Sequence, residues 1–452
     1  MIPEFTPAED SNQRAYGGWI ILFILFAFLI TSVVSGTFRR QANTPKPYEQ
    51  EQQALNQSVR MKETMKQFID LPSMDKGTTM KSFSAVAEDL KTQPKAPQFL
   101  AVAEHELGQK LDPAVAAQLK KNHSKEDNLL LMLYSSSKLT KSQGDTIIKE
   151  LPPTMFIYRL ALVHAREKAG MTPSGRQDFV NPVKVVGFVG ISMLLVLIGI
   201  AGFVLWVVFF SLKKANKISP KGLPTAPMTA RDADRLAWKA AILISTFFLL
   251  SELTAASGLA GRTPLANLIP PFSILALLWL LNRVSILGRP VTLSYQGLNR
   301  TDLRRHILLG LAGFCAELPI TLALFALGTS LLKGLPTPTH PASEALLNNP
   351  NALLIFVVGF GASVSAPIWE EIMFRGSLFP SLSRYLGVAP AALFSSFLFA
   401  SIHPQGIPGW AGLGAMATVS CLLVYYTKSL VPSITMHMIH NTMILIFALT
   451  AS

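Results

Sequence analysis

The stretch VKVVGFVGISMLLVLIGIAGFVLWVVFFSL, running from Val183 to Leu212, decides the fold class of this chain. After Lys184 it carries no charge until Lys213, Lys214, Lys217 and Lys221. It exceeds the roughly 20 apolar residues that cross a bilayer as a helix. In hydrocarbon each backbone N–H and C=O has to be satisfied inside the segment, so such a run is helical.

Working outward, Gly17 to Gly36 forms a similar run around WIILFILFAFLITSVV. It is longer than a signal-peptide core, and Thr37, Phe38, Arg39 and Arg40 follow it instead of a small-residue cleavage site. It reads as an uncleaved signal anchor after a tail of residues 1–16. Towards the C-terminus, further spans are expected near Leu236–Thr254, Leu268–Leu281, Ile307–Leu332, Ala352–Phe374, Pro390–Ile402, Ala411–Tyr426 and Leu430–Ala448. The predicted fold is therefore all-α: a polytopic transmembrane helical bundle of about nine spans, counted by apolar length.

Between the first two spans lies one long polar segment, residues 41–182. Apolar residues recur there at helical spacing, as at Phe83, Val86 and Leu90 and again at Met155, Tyr158 and Leu162. Pro94, Pro97, Pro113 and Pro152–Pro153 separate the stretches. This predicts an inserted soluble all-helical domain with no catalytic motif, whose expected role is to bind a partner. Residues 213–235 read as a basic cytoplasmic linker, and 236–450 as the main transmembrane domain.

The composition fits. The 452 residues are 50% hydrophobic and only 15% charged, against roughly 25% charged for a soluble protein. The net charge is +13, but the basic residues are dispersed and lack the aromatic-lined stripe of a nucleic-acid surface. No nucleic-acid partner is expected. Cys315 and Cys421 lie inside apolar runs and read as small buried residues, not as a disulfide or metal pair.

The loop charges set a topology. Lys213, Lys214, Lys217, Lys221, Arg231 and Arg235 stand against two Asp in residues 213–235, and Arg283, Arg289, Arg300, Arg304 and Arg305 against one Asp in 283–305. Two spans separate these loops, so one cytoplasmic face serves both, and residues 41–182 fall outside the cytoplasm. Arg39 and Arg40 argue the other way for the first span. The two loops agree with each other and carry more weight.

Polar residues then appear where none belong. They stand in Pro367-Ile-Trp-Glu370-Glu371-Ile-Met-Phe-Arg375-Gly376, in Phe397-Leu-Phe399-Ala-Ser-Ile-His403-Pro404, and in Ser433-Ile-Thr-Met-His437-Met-Ile-His440-Asn441. A charge near the bilayer centre costs about 2.5–3.5 kcal/mol even on the lenient insertion scale, so these groups need partners and an interior. Glu371 and Arg375 are i,i+4 neighbours on a helix face, as are His437 and Asn441, and Phe399 and His403. Glu370 is turned about 100° from Glu371, so one carboxylate can be held while the other faces a cavity. A carboxylate and a histidine can orient and deprotonate a water, and a second histidine with an asparagine can donate to an oxyanion. Glu370, His403 and His437 could instead be ligands of zinc, a His₂Glu set, but without HExxH the spacing gives no metal signature.

The order EExxxR, FxxxH, HxxxN resembles the CAAX protease and bacteriocin-processing (CPBP/Abi) family of intramembrane proteases. The matching residues are Glu370-Glu371-Ile-Met-Phe-Arg375, Phe399-Ala-Ser-Ile-His403 and His437-Met-Ile-His-Asn441. The resemblance covers roughly residues 236–450 and leaves the polar segment outside. It implies an intramembrane endopeptidase acting on membrane-associated, possibly CAAX-like or lipidated, protein substrates in a bacterial plasma membrane. It implies that Glu370 and His403 activate water, that His437 and Asn441 form the oxyanion site, and that Glu371 and Arg375 support them. On that mechanism no cofactor is required, while the zinc version stays open. Two other readings compete: a non-proteolytic scaffold or immunity-type protein that keeps the fold, and a proton-relaying transporter. The intact motif set favours the protease over the scaffold. The absence of an obvious inverted repeat weighs against the transporter.

Depth poses a question. From Ala352, Glu370 lies about 27 Å along its span, whereas His403 lies about 20 Å along an opposed span from Pro390, at 1.5 Å per residue. Straight, full-length spans would not bring the two to one level. His440, three residues after His437, reads as a packing or rim residue. Glu317 stands mid-span before Pro319 and reads equally as a cavity residue or the cap of a kinked helix.

Overall fold

The structure is a computed structural model that describes residues 15–42, 96–106, 108–122, 124–153, 156–171, 182–258, 269–298, 301–332, 335, 352–403 and 405–451. The expected helical stretch around Phe83, Val86 and Leu90 lies outside the described residues. The chain divides into two compact units, residues 43–189 and the remainder.

In the first unit, described from residue 96 onward, short helices follow one another: α2 (Ala96–Glu106), α3 (Pro113–Asn122), α4 (Lys125–Ser135), α5 (Lys141–Glu150) and α6 (Phe156–Lys168). Their starts are chemically marked. Ser124 accepts the Asp127 N–H at the head of α4, and Thr140 forms a reciprocal capping box with Gln143 at the head of α5. Pro97 and Pro113 sit in first turns, where a missing N–H costs nothing, so these prolines open helices. Phe99, Leu119, Leu130, Leu133, Ile147, Ile157 and Leu160 form the core. Two polar chains cross it. Tyr158 donates to Gln98, which donates to Asp127. Tyr134 meets His164 Nδ1 at 2.8 Å, and His164 Nε2 meets Glu106 at 2.6 Å.

The second unit is the membrane domain. Its helices are α1 (Gly17–Ala42), α7 (Pro182–Lys214), α8 (Ala230–Ala256), α9 (Ile269–Leu281), α10 (Leu303–Leu331), α11 (Ala352–Phe360), α12 (Ala366–Met373), α13 (Phe379–Leu386), α14 (Val388–Ser401), α15 (Gly406–Thr427) and α16 (Val431–Ala451). Six helical stretches are long and apolar enough to cross a membrane: Gly17–Ser35, Val189–Lys214, Ala230–Thr254, Leu303–Leu331, Ile355–Leu386 and Gly406–Thr427. Ile269–Leu281, Val388–Ser401 and Val431–Phe447 are shorter apolar helices. Among the described residues the sole strands are the two-residue pair Ser285–Ile286 and Arg289–Pro290.

Two boundaries differ from the sequence expectation. The basic linker ends six residues early because Thr229 and Asp232 cap α8 reciprocally, drawing Arg231 and Arg235 into the helix. The span expected to end at Phe374 continues to Leu386, through π-helical turns at Gly361–Ser365 and Phe374–Leu378. Hydropathy falls there because Arg375, Ser377 and Ser381 are polar. All three are buried against protein, however, so the helix persists.

Helix α10 packs along α15 and α16, α14 along α15, and α1 along α8. The second π turn is braced from below. Lys239 on α8, fully buried, donates to Val291 O and to Gln296 Oε1. Gln296 in turn donates to Ser377 Oγ at 2.6 Å and to Ile372 O at 3.4 Å. The carbonyl that the π turn releases from the regular ladder thus finds partners, as a buried carbonyl requires.

Candidate active site

Helix α12 carries both glutamates between its two π turns. Glu371 is fully buried. Its Oε1 lies 3.0 Å from Arg375 Nη1 and 3.0 Å from His437 Nδ1 on α16. The carboxylate faces the guanidinium and accepts the histidine proton, so His437 carries its hydrogen on Nδ1. In the neutral ring Nε2 is then an acceptor, 3.7 Å from Glu370 Oε2. Glu370 is the more open carboxylate, at 13% side-chain exposure.

Arg375 is buried among rings. Its guanidinium stands 4.6 Å from the Phe399 centroid and 5.8 Å from that of Phe374. A desolvated cation over an aromatic face gains about 2 kcal/mol or more. Its contact with Glu371 is ionic in character: none of the three guanidinium nitrogens makes a hydrogen bond among the described residues. The pair is thus held by Coulomb attraction and ring contact in a low-dielectric interior.

Phe399 is the hub that joins the second motif to the first. Its ring meets Phe374 edge-on at 5.1 Å, His403 at 4.3 Å and His437 at 5.8 Å. The backbone carbonyl of Phe399 lies 2.5 Å from His403 Nδ1. With its ring against Arg375, His403 and His437 alike, Phe399 brings the three motifs around one side chain.

Asn441 lies one turn beyond His437. Its Nδ2 donates to Ala362 O, 2.7 Å away in the first π turn. The structure therefore gathers Glu370, Glu371, Arg375 and His437 directly, brings His403 in through Phe399, and ties Asn441 to the opposite end of the same helical segment. Among the described residues, no three His, Cys, Asp or Glu side chains converge in a way that could hold a metal ion. The zinc set of Glu370, His403 and His437 does not form a coordination shell.

Two features escaped the sequence reading. The Lys239–Gln296–Ser377 brace joins residues from three segments and has no local signature. Glu317 pairs with His440, Oε1 to Nδ1 at 2.6 Å, across 123 residues of chain. Each of the latter two stood out as a polar residue in an apolar run, but nothing in the sequence paired them.

Residues 351–443 match the family model described as type II CAAX prenyl endopeptidase Rce1-like. All six site residues lie inside that stretch. No curated protein and no solved structure matches the chain.

Proposed function

We propose that the chain, whose residues 351–443 match the Rce1-like type II CAAX prenyl endopeptidase family model, is an intramembrane endopeptidase hydrolysing a peptide bond of a membrane-associated protein through a water held by Glu370 and His437. The observation that carries this reading is the meeting of Glu370, Glu371, Arg375 and His437 at one buried point in an apolar bundle.

The proton inventory follows from Glu371. Because it holds the hydrogen of His437 at Nδ1, both Nε2 and the Glu370 carboxylate are acceptors. A water between them donates to both and turns its oxygen lone pairs outward, towards a substrate carbonyl. Glu370 takes the proton as the water attacks. A carboxylate shielded from bulk solvent is a stronger base than one in water. His403, across the Phe399 ring, stands ready to donate to the leaving amine or the oxyanion. Asn441 has a second amide hydrogen beyond the one given to Ala362. The family resemblance pairs Glu370 with His403 on the water; the geometry favours His437 in that place. Glu371 and Arg375 support the site by fixing His437, whichever histidine acts.

The substrate is proposed to be a membrane-associated polypeptide of the CAAX-like or lipidated kind, and the soluble unit to bind a protein partner outside the cytoplasm. The test uses purified full-length protein in proteoliposomes, with peptides ending in a prenylated CAAX sequence and the same peptides unprenylated. Cleavage that Glu370→Gln abolishes supports the reading. Absence of cleavage in both peptide sets, with folded protein, sinks it.

A further inference from the structure

Helix α10 contributes no residue to the proposed chemistry, yet it holds a carboxylate with no exposure, Glu317. Its two oxygens are separately engaged: Oε1 by His440 Nδ1 at 2.6 Å and Oε2 by the Thr321 hydroxyl at 2.6 Å. Pairs of this kind in a membrane interior are expensive to assemble and call for an explanation.

The explanation lies in how α10 meets α16. Nearer the N-terminus of α10 glycines face both backbone and side chains of α16. A Cβ at Gly310 would stand 2.5 Å from Thr435 Cβ and 2.7 Å from Pro432 O, and one at Gly313 3.4 Å from Met436 Sδ. Such a surface permits close approach, but the glycines offer Thr435 and Met436 no side chain to interlock with, so it constrains only loosely how far α16 is turned about its own axis. Rotation matters there, because one helical turn of α16 carries three polar side chains aimed at three different elements. His437 reaches Glu371 on α12, His440 reaches Glu317 on α10, and Asn441 reaches Ala362 in the first π turn. At 100° per residue, a rotation of even one-third of a residue step would displace all three.

We propose that Glu317 is a positioning residue of the active site: it grips His440 and thereby sets the axial rotation of α16 that presents His437 to Glu370 and Asn441 to the π turn. The inference rests on the proposed hydrolytic site for its functional consequence, but not for its geometry. Thr321 completes the device by holding the second carboxylate oxygen, so the carboxylate plane cannot follow a turning helix.

The experiment reads rotation and catalysis separately. Gly359 lies beside Leu445, with a built Cβ 3.6 Å from Leu445 Cδ2, and Leu445 is one turn past Asn441. Cysteines at 359 and 445 in the full-length protein in membranes report the facing of α16 by their oxidative cross-linking rate, with single-cysteine controls for the native Cys315 and Cys421. Glu317→Ala is expected to slow cross-linking at least fivefold. Glu317→Gln, which still accepts from His440, should restore the rate to within twofold. His440→Ala should match Glu317→Ala, and the double variant should add nothing further, as expected of two residues acting as one unit. On a cleaved peptide, kcat should fall at least tenfold in Glu317→Ala with KM held within twofold. An unchanged cross-linking rate in Glu317→Ala overturns the proposal. If that variant fails to accumulate, Thr321→Val carries the test: a rate about half that of wild type supports the proposal, and an unchanged one overturns it. Slowed cross-linking in a protein whose wild type cleaves no peptide supports the positioning role and refutes proteolysis instead.

Discussion

Replacing Arg375 by Met tests the central electrostatic argument. The substitution keeps much of the volume over Phe399 and removes the guanidinium that faces Glu371, a carboxylate with no exposure. Breaking a buried pair by removing one partner costs about 3–5 kcal/mol, because the remaining charge stays desolvated. A methionine sulfur near the ring returns about 0.3–1.5 kcal/mol. The net loss expected for Arg375→Met is therefore about 2–4 kcal/mol. Glu371→Gln leaves the guanidinium alone and should cost a similar amount. The double variant removes both charges, while Gln can still accept from His437 Nδ1. It should lie within about 2 kcal/mol of wild type, since replacing a whole buried pair is often nearly neutral. Unfolding of the purified protein in mixed micelles with increasing denaturing detergent, followed by circular dichroism, gives the four stabilities. A coupling energy of about 3 kcal/mol between the two sites is expected. A coupling below about 0.5 kcal/mol, the range of independent sites, would refute the pairing.

Glu370→Gln removes the proposed general base while keeping its shape. It should lower kcat by about 10²–10⁴-fold with the fold intact, measured on any peptide the wild type cleaves. Phe399→Leu deletes the ring shared by Arg375, His403 and His437. It should cost both stability and kcat, whereas Phe397→Leu, on an exposed residue of the same helix, should leave kcat unchanged in the same assay. In the unit of residues 43–189, burial and then the neighbouring His164 and Lys168 hold His105 down at about 4, against 6.5 for the free side chain. The folded value lies below the unfolded one, so the unfolded chain takes up the proton first. The stabilising contribution is complete above about pH 6.5 and is lost as pH falls towards 4. Hydrogen exchange of amides 96–168 in the full-length protein should accelerate over that window, and His105→Gln should flatten the response.

Much was legible from the chain alone because it follows from transfer free energies. An uncharged apolar run from Val185 to Leu212 has one stable form in a bilayer, and helical spacing put Glu371 beside Arg375 without any knowledge of the fold. The placing of polar residues in apolar runs pointed to the site for the same reason. What the spacing could not give was contact between helices. Phe399 against Arg375 and His437 against Glu371 are packing outcomes among separate segments, and they fix which histidine faces Glu370. Nor could hydropathy find the end of the Glu-bearing span, since Arg375 and Ser377 lower it while protein burial keeps the helix going. Local physics thus determined the membrane class, the helical state and the identity of the polar residues. Only tertiary packing decided their partners and the proton on His437, because those depend on side chains brought together from distant parts of the sequence.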